Sequence, residues 1–295
     1  MGKISPTSDL AFKKVLSSEE NKDILAGLIR DFHFFAVNPE DITLENPYSI
    51  DVFKEEINKK LEQSVLRYTS PDIASSFESS EYVSATVKRI DFISEMQIHK
   101  TRHYEKRFLY YAFKKFCQNY GIGDLTSHGS KVSPYSTLRP VCSLNIVSQN
   151  HFDDEEALRI FELYDPIRRK MYPGNIVKIG FFELSKPKVE TENQKHWRDY
   201  FNTGNISESA PSYIKKASGI IDFVNLTEEE REMSYATERA EALWIEEIDT
   251  AFSNGEYKHK KETAKAMIAD GFTTDQIIKY SGLDVDEVKR MQLGE

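Results

Sequence analysis

Cysteine is nearly absent from this sequence: Cys117 and Cys142 are the two in 295 residues, each in an apolar-rich segment. A disulfide framework is not supported, and buried free thiols in a reducing compartment are expected. No apolar run approaches a membrane span, and the opening MGKISPTSD holds no apolar signal core. Gly2 lacks the downstream Ser or Thr of a myristoylation signal. A cytoplasmic protein is therefore expected. Excess positive charge is missing too: 39 Lys and Arg stand against 48 Asp and Glu, a net charge of −9. That argues against a generally basic nucleic-acid coat but leaves room for a local basic groove. Internal repeats and low-complexity tracts are also lacking. The length suffices for one large domain and a small one.

What is present centres on Val87 to Ile98, VKRIDFISEMQI, and on the Asp of SPDIASSF (Ser70–Phe77) upstream. Read as a strand, the first stretch puts Ile90, Phe92, Ser94, Met96 and Ile98 on one face. Arg89, Asp91, Ile93, Glu95 and Gln97 fall on the other, because side chains alternate with period two. Glu95 and Gln97 project side by side, about 7 Å apart along the strand. Asp72 lies on what reads as the preceding strand, which pairing would bring alongside. An Asp, then Glu-x-Gln on the neighbouring strand, can hold one divalent cation and one water.

Taken in order, Ser8 caps a short helix from Asp9 to about Leu16. Ser17 and Glu20 stand in capping-box spacing for a second helix, with Ile24, Leu25, Leu28, Ile29 and Phe32 on one stripe. Asn46-Pro47 marks a turn, and DVFKEEINKKLEQ a surface helix. Ile98 to Tyr120 has helical spacing, with Phe108, Leu109, Ala112, Phe113 and Phe116 on its apolar side. Lys100, Arg102, His103, Lys106, Arg107, Lys114 and Lys115 line its polar side, the clearest basic patch in the chain. GIGDLTSHGSKVSPYSTL reads as a loop. LRPVCSLNIVSQ, LRIFELYD and NIVKIGFFELSK read as strands, and helices follow around Trp197 and through YIKKASGIIDFV. Thr227 and Glu230 open a long acidic helix through Ala251. Lys258 to Asp270 is a further helix, stopped at Gly271. Thr273 with Gln276, and Asp284 with Glu287, box two short helices in a helix-turn-helix-like layout. LDVDEVKRM opens with acids where a base reader wants Arg, Asn or Gln, which favours packing or dimerisation through these C-terminal helices.

In order along nearly the whole chain, SDLAFKKVL with EENKDIL, PDIASSF, DFISEMQIHK, YEKRFLYY, RPVCSLNIV, GFFELSK and ADGFTTDQIIKYSGLDVDEV resemble the recombination-promoting nuclease (Rpn) family of transposase-like proteins. That family is a branch of the PD-(D/E)xK nuclease superfamily. The resemblance implies an α/β fold, a PD-(D/E)xK nuclease-like mixed sheet flanked by helices, over residues 1–225. An acidic connecting helix over 226–257 and a small C-terminal helix-turn-helix-like helical extension over 258–295 complete the expected organisation. It further implies Mg2+-dependent cleavage of DNA phosphodiesters, with Mn2+ or Ca2+ able to stand in the same place. By position, Asp72 and Glu95 match the metal-binding acids, the Met96 backbone carbonyl a third ligand, and Gln97 stands where the wider superfamily has Lys. Glu20 is the nearest counterpart to the superfamily's first-helix Glu. Asp91 is set aside as a co-ligand of Glu95, because four residues along a strand span about 13 Å while Mg2+ ligands sit at about 2.0–2.1 Å.

Gln97 carries no charge and cannot act as a base near neutral pH, but its amide can orient water or a phosphate oxygen. Lys100, Arg102, Lys106 and Arg107 are the expected receivers of DNA phosphates. His99 and His103 stand i,i+4 like a zinc pair but lack a nearby third ligand, so surface histidines are expected. The leading expectation is a metal-dependent DNA endonuclease linked to recombination or mobile elements. The acidic surface motivates the alternative of a catalytically inactive DNA-binding or assembly protein on a nuclease scaffold. A carboxylate-pair hydrolase acting on sugars is a weaker third.

Overall fold

The computed structural model describes residues 2–62, 72–78, 89–97, 103–122, 126–127, 130–131, 133–174 and 176–293. It divides into two compact units, Met1–Ser234 and Tyr235–Glu295.

The first unit is built on a six-stranded mixed sheet in the order β1-β2-β3-β6-β10-β7. Its strands are β1 (Ile42–Leu44), β2 (Ile73–Glu78), β3 (Arg89–Gln97), β6 (Val141–Val147), β7 (Leu158–Glu162) and β10 (Val177–Glu183). The three central strands, β3, β6 and β10, run parallel, while β1, β2 and β7 pair antiparallel at the flanks. β6 is buried along its whole length, as a strand covered on both faces must be. Two short hairpins lie outside this sheet, β4 (Thr126–Ser127) with β5 (Ser130–Lys131), and β8 (Tyr164–Asp165) with β9 (Lys170–Met171).

One face of the sheet presents Ile90, Phe92, Met96, Cys142, Leu144, Ile146 and Phe182 to the larger core. Helices α1 (Asp9–Leu16), α2 (Lys22–Asp31), α5 (Glu192–Thr203) and α6 (Ser212–Ile220) complete it. Ser8 caps α1 by accepting from the Ala11 amide at 3.3 Å. The expected Ser17–Glu20 box does not form. Ser17 instead donates to the Asn46 carbonyl, a 3-10 turn covers Glu19–Asn21, and α2 starts at Lys22. Tertiary bonding to the 46–48 turn thus displaces a local cap. Within this layer Asp31 is stapled by neutral donors, Trp197 Nε1 at 2.9 Å, Tyr213 OH at 2.7 Å and Asn193 Nδ2 at 3.0 Å. Gly27 lets the Tyr213 ring approach, since a Cβ there would meet it at 2.4 Å.

The opposite face is covered by α4 (Tyr104–Gln118), with Ile93, Val141, Val147, Val177, Ile179 and Phe181 packed under Phe108, Tyr111 and Ala112. The buried seam of α4 runs through Phe108, Tyr111, Ala112 and Lys115, not through Leu109 and Phe113, which are exposed. The reason is electrostatic. Acids on this face of the sheet draw Lys115 inward to Glu45 and Arg107 towards Glu95, which rotates the helix away from its purely apolar register. Helix α3 (Ile50–Glu62) adds Phe53 and Ile57 to the larger core.

Helix α7 is continuous from Glu228 to Ala269. The break expected between Ala251 and Lys258 is absent, because a lone Gly255 costs a helix only about 1 kcal/mol. Thr227 and Glu230 form the expected box at its start. In the second unit Ala264, Ile277, Leu283 and Val288 make a small core with α8 (Thr274–Ser281) and α9 (Val285–Leu293). The Thr273–Gln276 capping box is present, and Gly282 ends α8 in the left-handed conformation. Glu287 in the acidic first turn of α9 turns inward to Tyr257 and Lys261. Among the described residues no helix is long and apolar enough to cross a membrane.

Candidate active site

The site is assembled where β2 begins and β3 ends. Ile73 pairs with Ser94 in the antiparallel register, so Asp72, one residue earlier, stands opposite Glu95. Alternation puts both on the α4 face, since their neighbours Ala74 and Ile93 also belong to the α4-side core. Asp72 is 8% exposed and Glu95 5%.

Asp72 is fixed from two directions. Its Oδ2 accepts from the Met96 amide at 3.0 Å. Asn46 brackets its backbone, donating through Nδ2 to the Asp72 carbonyl at 2.9 Å and accepting through Oδ1 from the Ala74 amide at 2.7 Å. A strand residue sends its amide and carbonyl towards the same neighbour, so the Met96 carbonyl is directed to the side on which Asp72 lies.

Glu95 is less settled. Its Oε1 is buried with no hydrogen-bond partner among the described residues. Burial holds its pKa well above the usual carboxylate range, and the Asp72 carboxylate pushes it further. Arg107 draws it back, as does the Asp72 amide, while the Asp9 carboxylate adds to the rise. Tyr111, on the sheet-facing side of α4, is pushed up to about 12 by burial and by Glu95, which keeps its hydroxyl a donor at neutral pH.

Arg107 reaches in from α4. Its Nη2 donates to Gln97 Oε1 and lies 4.0 Å from Glu95 Oε2. The cation expected on a DNA-facing surface therefore turns in to Gln97, beside the Glu95 carboxylate. Lys106 is exposed on the same helix, and His103 is exposed just before it. Lys100, Arg102 and His99 lie outside the described residues.

Glu20 is exposed in the 3-10 turn after α1, where its carbonyl accepts from Lys216. The first-helix acid whose charge reaches Glu95 is Asp9, in the opening turn of α1. Sequence reasoning used Asp9 only as a helix start. The available signal was an acid directly after a Ser cap on the helix preceding the strand pair. Asp91 lies on the same face, four residues back along β3, and is taken up by Asn119 at 2.5 Å and Arg139 at 3.7 Å.

The donor set suits a hard divalent cation. Mg2+ takes oxygen ligands, often one or two carboxylates, and keeps several waters. Two convergent carboxylates, one with an orphaned buried oxygen, and a backbone carbonyl directed to their side fit that demand. Among the described residues no cluster of three His, Cys, Asp or Glu could hold a metal ion by itself, so the balance of ligands would come from water or phosphate.

The geometry places two buried carboxylates face to face on an α/β scaffold. Residues 6–251 match the family described as PD-(D/E)XK nuclease family transposase, and the chain belongs to that family. PD-(D/E)XK nucleases generally depend on a divalent metal, and the family implies DNA as substrate. No curated protein and no solved structure matches the chain.

Proposed function

We propose that this chain is a divalent-metal-dependent DNA endonuclease, acting on phosphodiesters in recombination or mobile-element chemistry. The observation that carries the proposal is the buried pair Asp72 and Glu95, held face to face with Glu95 Oε1 unpartnered among the described residues. Asp72, Glu95 and the Met96 carbonyl would hold the cation. Mg2+ bound there would lower the pKa of a water and offset charge on the scissile phosphate.

The chain's own groups supply the rest. Gln97, uncharged, orients the attacking water or a phosphate oxygen. Arg107 bridges Gln97 and Glu95 and places a permanent positive charge beside the reacting phosphate. Lys106, with Lys100 and Arg102, takes flanking phosphates. The tail helices α8 and α9 are assigned to contact between copies rather than to base readout, because the acidic turn of α9 is engaged within its own unit.

Incubation of purified protein with plasmid and Mg2+ tests the activity. Cleavage is expected from the parent and lost in Asp72→Ala and Glu95→Ala. Equal cleavage by all three removes this reading. A parent that binds DNA in a salt-sensitive way, with no Mg2+ uptake by calorimetry and no turnover, establishes instead an inactive DNA-binding protein.

A further inference from the structure

The hairpin β8–β9 has no part in the carboxylate site, and its surface is unusual. Residues 161–174 are all exposed except the half-buried Asp165. They carry Phe161, Leu163, Tyr164, Met171 and Tyr172, with Ile167 at the tip 84% exposed. Three consecutive cations, Arg168, Arg169 and Lys170, follow that tip.

This arm is formed, not loose. Tyr164 pairs with Met171 and Asp165 with Lys170, and the Tyr172 amide donates to the Leu163 carbonyl at 2.9 Å. Asp165 Oδ1 accepts from the Ile167 and Arg168 amides at 2.9 and 3.1 Å. Arg169 sits at φ +52°, a left-handed conformation that a glycine would take without strain. The chain therefore holds a charged side chain at a position that disfavours any side chain. Asp165 engages Arg168 at 3.3 Å, and neither Arg169 nor Lys170 has an ion-pair partner among the described residues.

From this arrangement we infer that the β8–β9 hairpin is a second DNA-binding element, which grips the duplex away from the scissile phosphate. It rests on the nuclease reading above. In a chain of net charge −9, three consecutive exposed cations form a local ridge that complements a polyanion. Arg168, Arg169 and Lys170 contact phosphates, while Ile167, preceded by Pro166, is the kind of apolar wedge that enters a base step. The hairpin leaves the sheet from β7, three strands from β3 and beyond the Glu162–Lys178 pair, away from the Gln97 end. Strand spacings put its root about 20 Å from Glu95, so the cations at its far end meet duplex at least some six base pairs from the scissile phosphate.

The experiment measures fluorescence anisotropy of the full chain with labelled duplexes in chelator, so that binding is read apart from cleavage. Against a duplex of about thirty base pairs, Arg168→Glu/Arg169→Glu/Lys170→Glu is expected to bind at least tenfold more weakly. The slope of log K against log salt should fall by about two to three, near 0.9 for each phosphate no longer neutralised. Ile167→Ser is expected to weaken binding with the slope unchanged. Arg169→Gly guards against misfolding: it relieves the left-handed strain, so Tm should equal or exceed the parent's while DNA affinity falls two- to fivefold. A parent that cleaves DNA, with a triple variant that binds long duplex equally well, overturns the hairpin inference and leaves the nuclease reading intact. A parent that neither binds nor cleaves removes both. Variants that lose binding to anionic phospholipid vesicles but not to DNA overturn the inference in favour of a membrane-surface arm.

Discussion

Two carboxylates stand four residues apart on β3, both on the α4 face and both buried, yet their surroundings differ in how far they compensate that burial. Asp91 is met by the Lys115 charge, Asn119 and Arg139, which offset part of the burial that raises its pKa. Glu95 faces a second carboxylate, feels a third from Asp9, and has one guanidinium at 4.0 Å. A buried charge is normally paired, because leaving it unpaired costs several kcal/mol. One oxygen of each lacks a hydrogen-bond partner among the described residues, but the pairing is fuller at Asp91, with an amide donor and two cations, than at Glu95. Perturbed acids of this kind collect at functional sites, and the contrast sets a structural carboxylate beside the one proposed to react on the same strand.

The widest separation between the two is expected in activity. Glu95→Ala and Asp72→Ala should each reduce Mg2+-supported plasmid cleavage on the order of a hundred- to a thousandfold, the size typical of removing one preorganised charge-stabilising group. Their thermal melting should fall less than that of Asp91→Ala. Asp91→Ala should do the reverse, losing about 2–4 kcal/mol of stability by stranding Arg139 and Asn119. At roughly 2–4 °C per kcal/mol for a chain of this size, calorimetry would resolve it. An Asp91→Ala protein that melts like the parent but no longer cleaves would erase the distinction.

The next step sharpens it through Arg107. Arg107→Ala removes the charge that draws Glu95 downward, so its pKa should rise further. Cleavage is expected to fall tenfold to a hundredfold, as for missing orienting partners of a metal site, with the pH–rate profile displaced to higher pH. Arg107→Lys keeps the charge but not the planar fork, and should recover part of the rate and most of the displacement. An unshifted profile in Arg107→Ala would place the guanidinium outside the reaction.

How much of this contrast could be read beforehand follows from what sequence encodes. The period-two pattern of VKRIDFISEMQI is local, so β3, its two faces and the separation of Asp91 from Glu95 were legible. That Asp72 lies on a neighbouring strand was legible too, but its exact register opposite Glu95 was not, since pairing across a long connection is a tertiary fact. Three features were hidden for a common reason. Arg107 and Lys115 read as solvated members of a basic face, and only the acids beneath α4 explain why they turn inward. Asp9 read as a helix start because first-turn acids favour the helix dipole anyway. Ser17 read as half of a capping box until a carbonyl 29 residues away claimed its hydroxyl. In each case a long-range polar partner overrode a correct local rule.

The smallest effect is the most diagnostic, because it reads the unsettled state of Glu95 without any catalysis. Burial and Asp72 raise the folded pKa of Glu95 well above 4.5, so the fold binds that proton more tightly than the unfolded chain does. The stability this proton contributes is complete below the ordinary Glu value and is lost as pH rises through the raised folded value. Glu95→Gln is neutral at every pH and cannot suffer that loss. In metal-free buffer its Tm should match the parent's near pH 4.5 or below and exceed it by a few degrees towards neutrality. Saturating Mg2+ should close or invert the gap, because the cation stabilises the ionised parent and has one ligand fewer in the variant. If parent and variant instead melt together at every pH, with and without Mg2+, Glu95 is neutralised as thoroughly as Asp91, and the two ends of β3 differ in nothing that chemistry could use.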